Sequence, residues 1–455
     1  MEGISFDFTN LFSPVLKGGL TKKDINSYKE KASEAVENIL NSNPGFMGVP
    51  FESKWLESVR ELKEWILSFE SLVVLGIGGS ALGNIALQSA LNPADYNNQK
   101  NRKTPRIYIV DNVDPDLLSS VLDQIDIKTT LFNVISKSGT TAEAMANYMV
   151  ARGLLETNGL KVQDHILFTT DPQNGILRKM SRDENIRAIE IPPQVGGRFS
   201  VLTPVGLVSA MAGGIDIQEL FLGARDMCEK CKNKDIWKNP AALNAVIHYL
   251  YYLKGYDLSV MMVYSNRLYL LADWYRQIWA ESIGKKLNLK KETVNVGQTP
   301  VKALGATDQH SQVQLYNEGP KDKIITLIKL ENFEREVSIP KIHEDIAELK
   351  YLGGRKLSEL LNTELAGTEY ALLEHERPNM RVTFPRISAY NIGEFIFMYE
   401  FSTAVMGGLL QVDPYDQPGV ELGKKVTYAL MGREGYEDLA AEVMKKIQVK
   451  NRVIM

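Results

Sequence analysis

Cysteine is nearly absent from this chain, with Cys228 and Cys231 the only two in 455 residues. With no second cysteine pair and no histidine at ligand spacing, their C-x-x-C arrangement does not make a structural zinc site. The surrounding run, from Arg225 to Asp235, reads as the polar end of a helix rather than a redox loop. Long hydrophobic runs are missing as well. The uncharged stretch from Phe199 to Ile215 is broken by three Gly, Pro204, Thr203 and two Ser, so it falls short of the ~20 mostly apolar residues that a membrane span needs and reads as a buried segment. Residues Met1 to Asp7 lack a basic region followed by an apolar core, so no signal peptide is expected and a cytosolic protein is. An excess of one charge is also missing. A formal net charge of -4 leaves no basic field for nucleic acid, and any anionic ligand must be attracted locally.

What the chain does have is an ordinary globular balance, 44% hydrophobic and 24% charged, which excludes disorder. Its 455 residues are enough for two or three domains of ~150 residues each. The first ~65 residues have a helical period, with Ile25, Tyr28, Ala32, Ala35 and Ile39 on one face of Lys22 to Leu40, and are expected to pack outside the main core. Short apolar runs then alternate with amphipathic stretches. Leu72 to Leu75, Arg106 to Val110, Leu131 to Ile135, His165 to Phe168 and Ile186 to Ile191 are predicted strands of a parallel α/β sheet. After the turn at Gly196-Gly197, a buried helix is predicted from Phe199 to Gly214, opening at Ser200 or Thr203. A second α/β unit follows, with strands at Leu258 to Tyr264 and Lys323 to Leu330 and extended pieces at Thr293 to Val296 and Arg381 to Pro385. Its helices are predicted at Arg267 to Trp279, Tyr351 to Glu374 and Glu394 to Leu409, with a last helix at Tyr436 to Val449. Both halves share a strand, loop, helix rhythm, as two related lobes would.

The segment most suited to chemistry is Leu131 to Met145, where an apolar strand breaks into Ser136-Lys137-Ser138-Gly139-Thr140-Thr141 before a helix. Hydroxyls and an ammonium gathered at a helix N-terminus form a socket for a phosphate ester. A single hydroxyl there would be an ordinary N-cap, but four around a Lys and a Gly exceed what capping needs. Gly76-Ile77-Gly78-Gly79-Ser80-Ala81 satisfies G-x-G-x-x-A after the first strand. A dinucleotide fold also needs an acidic residue about 20 positions on, at the end of the second strand. Asp111 comes too late and Asp95 sits in a polar loop, so the loop suits a sugar phosphate better. Three further segments place charges in unusual company: Gly196-Gly197-Arg198-Phe199-Ser200, Glu281-Ser282-Ile283-Gly284-Lys285 and Gln417-Pro418-Gly419-Val420-Glu421-Leu422-Gly423-Lys424. Taken singly, Arg198 reads as an ion-pair former, Glu281 as a solvated helix residue and Lys424 as a surface lysine.

Together with Gly305 to Ser311 and in this order, those motifs resemble the phosphoglucose isomerase family over nearly the whole chain, most closely its compact bacterial form with a short N-terminus. The resemblance implies two sugar-isomerase lobes, each a mainly parallel sheet flanked by helices, with the active site between them. The expected division is an N-terminal helical segment (1–65), a first lobe with the phosphate loops (66–230), a second lobe (231–430) and a C-terminal helix packing back on the body (431–455). It also implies interconversion of glucose 6-phosphate and fructose 6-phosphate through an enediolate. In that chemistry Glu281 resembles the base that moves the proton between C2 and C1, with Trp274, Ile278 and Trp279 as candidates for its apolar surroundings. Arg198 resembles the enediolate stabiliser.

By the same resemblance His310 opens the sugar ring, assisted by Lys424, and reaches into the neighbouring subunit of a homodimer. Ser80, Ser136, Lys137, Ser138, Thr140 and Thr141 would hold the phosphate, with Gly79, Gly197 and Gln417 also at the substrate. His165, His248, His343 and His375 lie in no such motif and read as structural. General acid–base chemistry and one fixed cation need neither metal nor organic cofactor. Three rival readings differ in what they require: an isomerase that also accepts mannose 6-phosphate, a non-catalytic sugar-phosphate sensor with no use for Glu281, His310, Arg198 and Lys424 together, and an NAD(P)-binding dehydrogenase.

Overall fold

The computed structural model describes residues 2–100 and 102–447. Its strands, in chain order, are β1 (Ser5–Asp7), β2 (Ser71–Leu75), β3 (Arg106–Val110), β4 (Thr130–Ile135), β5 (Ile166–Thr170), β6 (Arg187–Glu190), β7 (Leu258–Val263), β8 (Lys285–Leu287), β9 (Thr293–Val296), β10 (Thr299–Leu304), β11 (Lys323–Asn332) and β12 (Asn379–Arg386). The first sheet has the order β3-β2-β4-β5-β6 and is parallel throughout. Every residue of β2, β4 and β5 is buried, which is why these strands read as unbroken apolar runs rather than alternating ones. The second sheet has the order β1-β12-β11-β7-β10, parallel except for β1. Among the parallel strands of both sheets the second made lies on one side of the first and the third on the other, as β3 and β4 flank β2 and β10 and β11 flank β7, so the two halves share a topology as well as a rhythm.

Between the sheets' helices runs Ala389–Leu410, 22 residues with nearly every side chain buried. A helix buried all round needs neighbours on all sides. It finds them in the helices Lys29–Ser42, Ile217–Cys231, Pro240–Leu253 and Tyr269–Ile283. The Ile217–Cys231 helix, which the sequence assigns to the first lobe, thus lies against a helix of the second half. Cys228 and Cys231 are on its buried face, and burial pushes the Cys228 thiol up to about 12 and that of Cys231 well above its ordinary value.

The N-terminal region corrects the expectation that it stays outside the core. Its apolar stripe, Ile25, Ala32, Ala35, Val36 and Ile39, is buried in the main hydrophobic cluster, and Ser5–Asp7 hydrogen-bonds to Arg381–Thr383 as an antiparallel edge strand. The stripe is legible in sequence, whereas the surface it meets is the buried helix Ala389–Leu410 some 360 residues on. Other boundaries move for local reasons. Of the two openings predicted for the helix after Phe199, Ser200 and Thr203, the second is the one observed: Thr203 accepts from the Val205 N–H as its N-cap and Pro204 takes the first helical position. The helix predicted from Tyr351 begins at Leu357, after the Gly353-Gly354 turn in which Gly354 has φ +82°. The C-terminal helix is Glu437–Ile447, and Tyr436 meets Tyr428 of the preceding helix Glu421–Leu430 edge to face at 5.8 Å. The predicted end of that helix, at 448 and 449, lies outside the described residues.

Candidate active site

β2 and β4 are adjacent parallel strands on either side of the point where strand order reverses, and each ends in one of the loops singled out in the sequence. Open parallel sheets bind ligands in this crevice, beyond the strands' carboxyl ends. After β4, Gly139 has φ +67° and turns the chain so that its N–H donates to Ser136 Oγ at 3.0 Å. Ser136 Oγ lies 3.3 Å from Thr141 Oγ1, and Ser138 Oγ lies 2.8 Å from Thr140 Oγ1. Thr141 occupies the N-cap of the 16-residue helix Ala142–Thr157 without spending its hydroxyl on a capping bond. First-turn N–H groups and hydroxyls are therefore open to an anion. Lys137 behaves differently from its neighbours: its ammonium donates to the carbonyls of Pro193 at 2.5 Å and Val195 at 3.2 Å. Burial holds its pKa below the usual lysine value, against the pull of Asp171. It fastens the 193–195 turn beneath the site.

After β2, Ile77 is extended and Gly78–Ser80 forms one tight turn. Gly79 lies against the backbone of Gly197, close enough that a Cβ would overlap the Gly197 carbonyl. This contact ties the first glycine loop to the Gly197–Phe199 turn and so delivers Arg198. Gly197 itself has open space where a Cβ would stand.

Arg198 is 3% exposed. Its Nε donates to Ser282 Oγ at 2.7 Å, one terminal nitrogen to Gln417 Oε1 at 2.5 Å, and the other to the carbonyls of Pro414 at 2.6 Å and Asp416 at 2.9 Å. Burial pulls its pKa down, while Glu281, Asp416 and Asp413 act in the opposite direction. A guanidinium stays charged under such conditions. Glu281, near the end of the helix Tyr269–Ile283 and about one-third exposed, places Oε2 3.6 Å from Arg198. A buried Lys285 anchors the Pro414–Gln417 segment independently, through the Asp416 carboxylate at 2.7 Å and the Asp416 carbonyl.

Trp274, Ile278 and Trp279, suggested as the apolar surroundings of Glu281, lie in the core, and the two rings make their contacts elsewhere, Trp279 packing on His248 and Tyr275 and Trp274 on Phe395. The polar partners of the carboxylate are Arg198 and Gln277, whose Nε2 is 3.3 Å from Glu281 Oε1. Sequence reasoning passed over Gln277. It sits one helical turn before Glu281 beside Gly78, and its buried Oε1 has no partner among the described residues. The i, i+4 spacing was the available signal.

Two of the candidates stand apart from this cluster. Lys424 pairs with Glu421 at 2.8 Å on an exposed face of the helix Glu421–Leu430. One turn on, Tyr428 donates to the Thr140 carbonyl at 3.1 Å, which lays that helix over the hydroxyl loop. His310 ends the short turn Thr307–His310 after β10 and is exposed, with no side-chain hydrogen bond or ion pair among the described residues. The turn under it is stiff: Gln309 donates to Tyr264 Oη and Thr368 Oγ1, both at 2.7 Å, and Asp308 accepts from the Leu304 N–H at 2.7 Å. Of the remaining histidines, His165 is buried and bonds the Thr130 carbonyl at 2.9 Å. His248 is buried beside Gln298, and burial pushes its pKa down to about 4. His343 and His375 are exposed.

A family model described as phosphoglucose isomerase matches residues 63–439. The chain is 46% identical over 452 residues to a glucose-6-phosphate isomerase of Carboxydothermus hydrogenoformans, covering 97% of each chain. It is 42% identical over 441 residues to one of Rubrobacter xylanophilus, covering 96% of this chain and 100% of that one. A crystal structure of a hypothetical protein from Thermus thermophilus matches with a TM-score of 0.85 at 34% identity, covering 94% of this chain and 100% of that chain. A glucose-6-phosphate isomerase from Chlamydia trachomatis shows the same fold, with a TM-score of 0.82 at 21% identity over 98% of this chain and 92% of that one. Identity of this order, sustained through both sheets and the loops between them, shows that the chain belongs to the phosphoglucose isomerase family.

Proposed function

We propose that this chain interconverts glucose 6-phosphate and fructose 6-phosphate, the aldose–ketose step shared by glycolysis and gluconeogenesis. The observation that carries the residue roles is the pairing of Glu281 with Arg198 at 3.6 Å beside the β2/β4 crevice. In this reading the sugar phosphate docks on Ser80 and the Ser136–Thr141 hydroxyls, with Gly79, Gly197 and Gln417 along the sugar. Glu281 takes the proton from C2 and returns it to C1, and Arg198 faces the enediolate oxygen where negative charge develops. Lys137 supports the floor of the site through the 193–195 turn rather than meeting the phosphate. The two sheets, sharing one order over four parallel strands, correspond to two lobes near 66–230 and 231–430, with the terminal segments joined to them.

Phosphate contacts act alike on ground and transition states, so replacing them changes binding more than chemistry. Ser136→Ala with Thr141→Ala is expected to raise KM well beyond any loss in kcat in initial-rate assays. An unchanged KM in the double variant would remove the socket.

His310, exposed and free of side-chain partners among the described residues, serves a second copy of the chain in this reading. The excursion after β11 supports the dimer, exposing Val337, Ile342, Ile346, Leu349, Tyr351 and Leu357 within 21 residues of chain (337–357). Apolar side chains grouped this way mark a contact surface, and a two-fold pair is the commonest use of one. Mixing inactive Glu281→Gln subunits with inactive His310→Ala subunits tests the arrangement. If His310 works in trans, each hybrid dimer holds one intact site and activity returns on mixing; if it works in cis, the mixture stays as inactive as its parts.

A further inference from the structure

A guanidinium has five N–H bonds fixed in one plane, so the number already engaged tells what remains for a substrate. The protein engages four of Arg198's five: Nε–H by Ser282, both hydrogens of one terminal nitrogen by the Pro414 and Asp416 carbonyls, and one hydrogen of the other by Gln417. The single N–H left belongs to Nη1, the nitrogen 3.6 Å from Glu281 Oε2. One donor is thus presented beside the base, and its direction is set by how the rest of the plane is pinned.

The four anchors come from two places. Three belong to the Pro414–Gln417 segment, which Lys285 holds independently through Asp416. The fourth is Ser282, fully buried, on the residue that follows Glu281 in the same helix. A helical serine ordinarily turns its hydroxyl back to a carbonyl of the preceding turn. Ser282 makes no such bond among the described residues and accepts from Arg198 instead. The carboxylate base and the acceptor that pins the Nε edge of the guanidinium are therefore consecutive residues of one rigid turn.

We propose that Ser282 is a positioning residue, whose hydroxyl fixes the approach of the Arg198 Nη1 donor to the reacting atoms beside Glu281. It touches no substrate atom itself. The inference deepens the isomerase reading and rests on it. Losing Ser282 leaves three anchors and the Lys285–Asp416 pair intact, so Arg198 stays in the site and pivots. A pivot of this kind weakens what is made only in the transition state and spares ground-state binding.

Ser282→Ala is therefore expected to lower kcat ~10- to 100-fold, the loss that follows a small misplacement of a catalytic group. KM for fructose 6-phosphate should stay within about twofold of the parent. Ser282→Cys keeps the volume with a weak sulfur acceptor, and its kcat should fall between those of the parent and the alanine variant. Near-UV circular dichroism reports whether each variant is folded, and if Ser282→Ala is not, the cysteine variant decides. A kcat at the parent level in the folded variants, or a loss seen in KM alone, overturns the positioning role. Glu281→Gln measured alongside separates the two claims. If it is inactive while the Ser282 variants are normal, only the positioning role falls; if it is fully active, the base assignment falls and this inference with it.

Discussion

Glu281→Gln is expected to lower kcat by ~10²- to 10⁴-fold, the usual contribution of a general base. Glutamine keeps the side chain's length, its packing and its hydrogen-bonding reach toward Arg198 and Gln277, so the loss isolates proton transfer from shape. Substrate binding should persist, because the phosphate contacts at Ser136–Thr141 come from a different loop on a different strand. Two measurements check this: initial rates in both directions, and exchange of the C2 hydrogen of the sugar phosphate with solvent deuterium. Both should fall together. Retained exchange with lost turnover would move the base elsewhere, and a near-parent kcat would remove Glu281 from the chemistry.

For Arg198→Lys a combined loss of rate and stability is expected. An ammonium offers three donors from one point, whereas the site presents Ser282 Oγ, Gln417 Oε1 and two carbonyls arranged around a plane. At least one buried acceptor then goes without a donor, and the charge itself sits short of its position beside Glu281. The rate should fall ~10²- to 10³-fold, as when one preorganised donor to developing negative charge is removed. Stability should fall by about 2–4 kcal/mol, in the range for breaking a buried charge-assisted network. Urea unfolding reads the second quantity separately. A variant with lost activity and unchanged stability would mean that the cage around Arg198 contributes little to the fold.

How much of this was legible follows from where each signal resides. β2 and β4 could be read because strands buried on both faces are unbroken apolar runs, and the loops after them because glycines and hydroxyls gather in consecutive positions. β10 was missed: it is an edge strand, and Pro300 and Lys302 interrupt its apolar pattern as an edge permits. β1 is three residues long, too short to show a period. Within the site, Lys137 stands between Ser136 and Ser138 in sequence, but its long side chain reaches the 193–195 turn. Gln277 lay in a helix where glutamine carries no signal by itself. The pinning of Arg198 joins residues 198, 282 and 414–417, and no local pattern encodes contacts of that separation.

The pairing of Ser5–Asp7 with Arg381–Thr383 also orders events during synthesis. β1 is made long before it can find its place, since its partner emerges some 370 residues later. Wherever β1 is not yet in place the outer edge of β12 has nothing to cover it, and an uncovered strand edge invites pairing with other chains. A chain shortened by a handful of residues at its start would keep every group of the proposed active site and yet present that edge permanently, so its failure would show as association between molecules rather than as slower turnover.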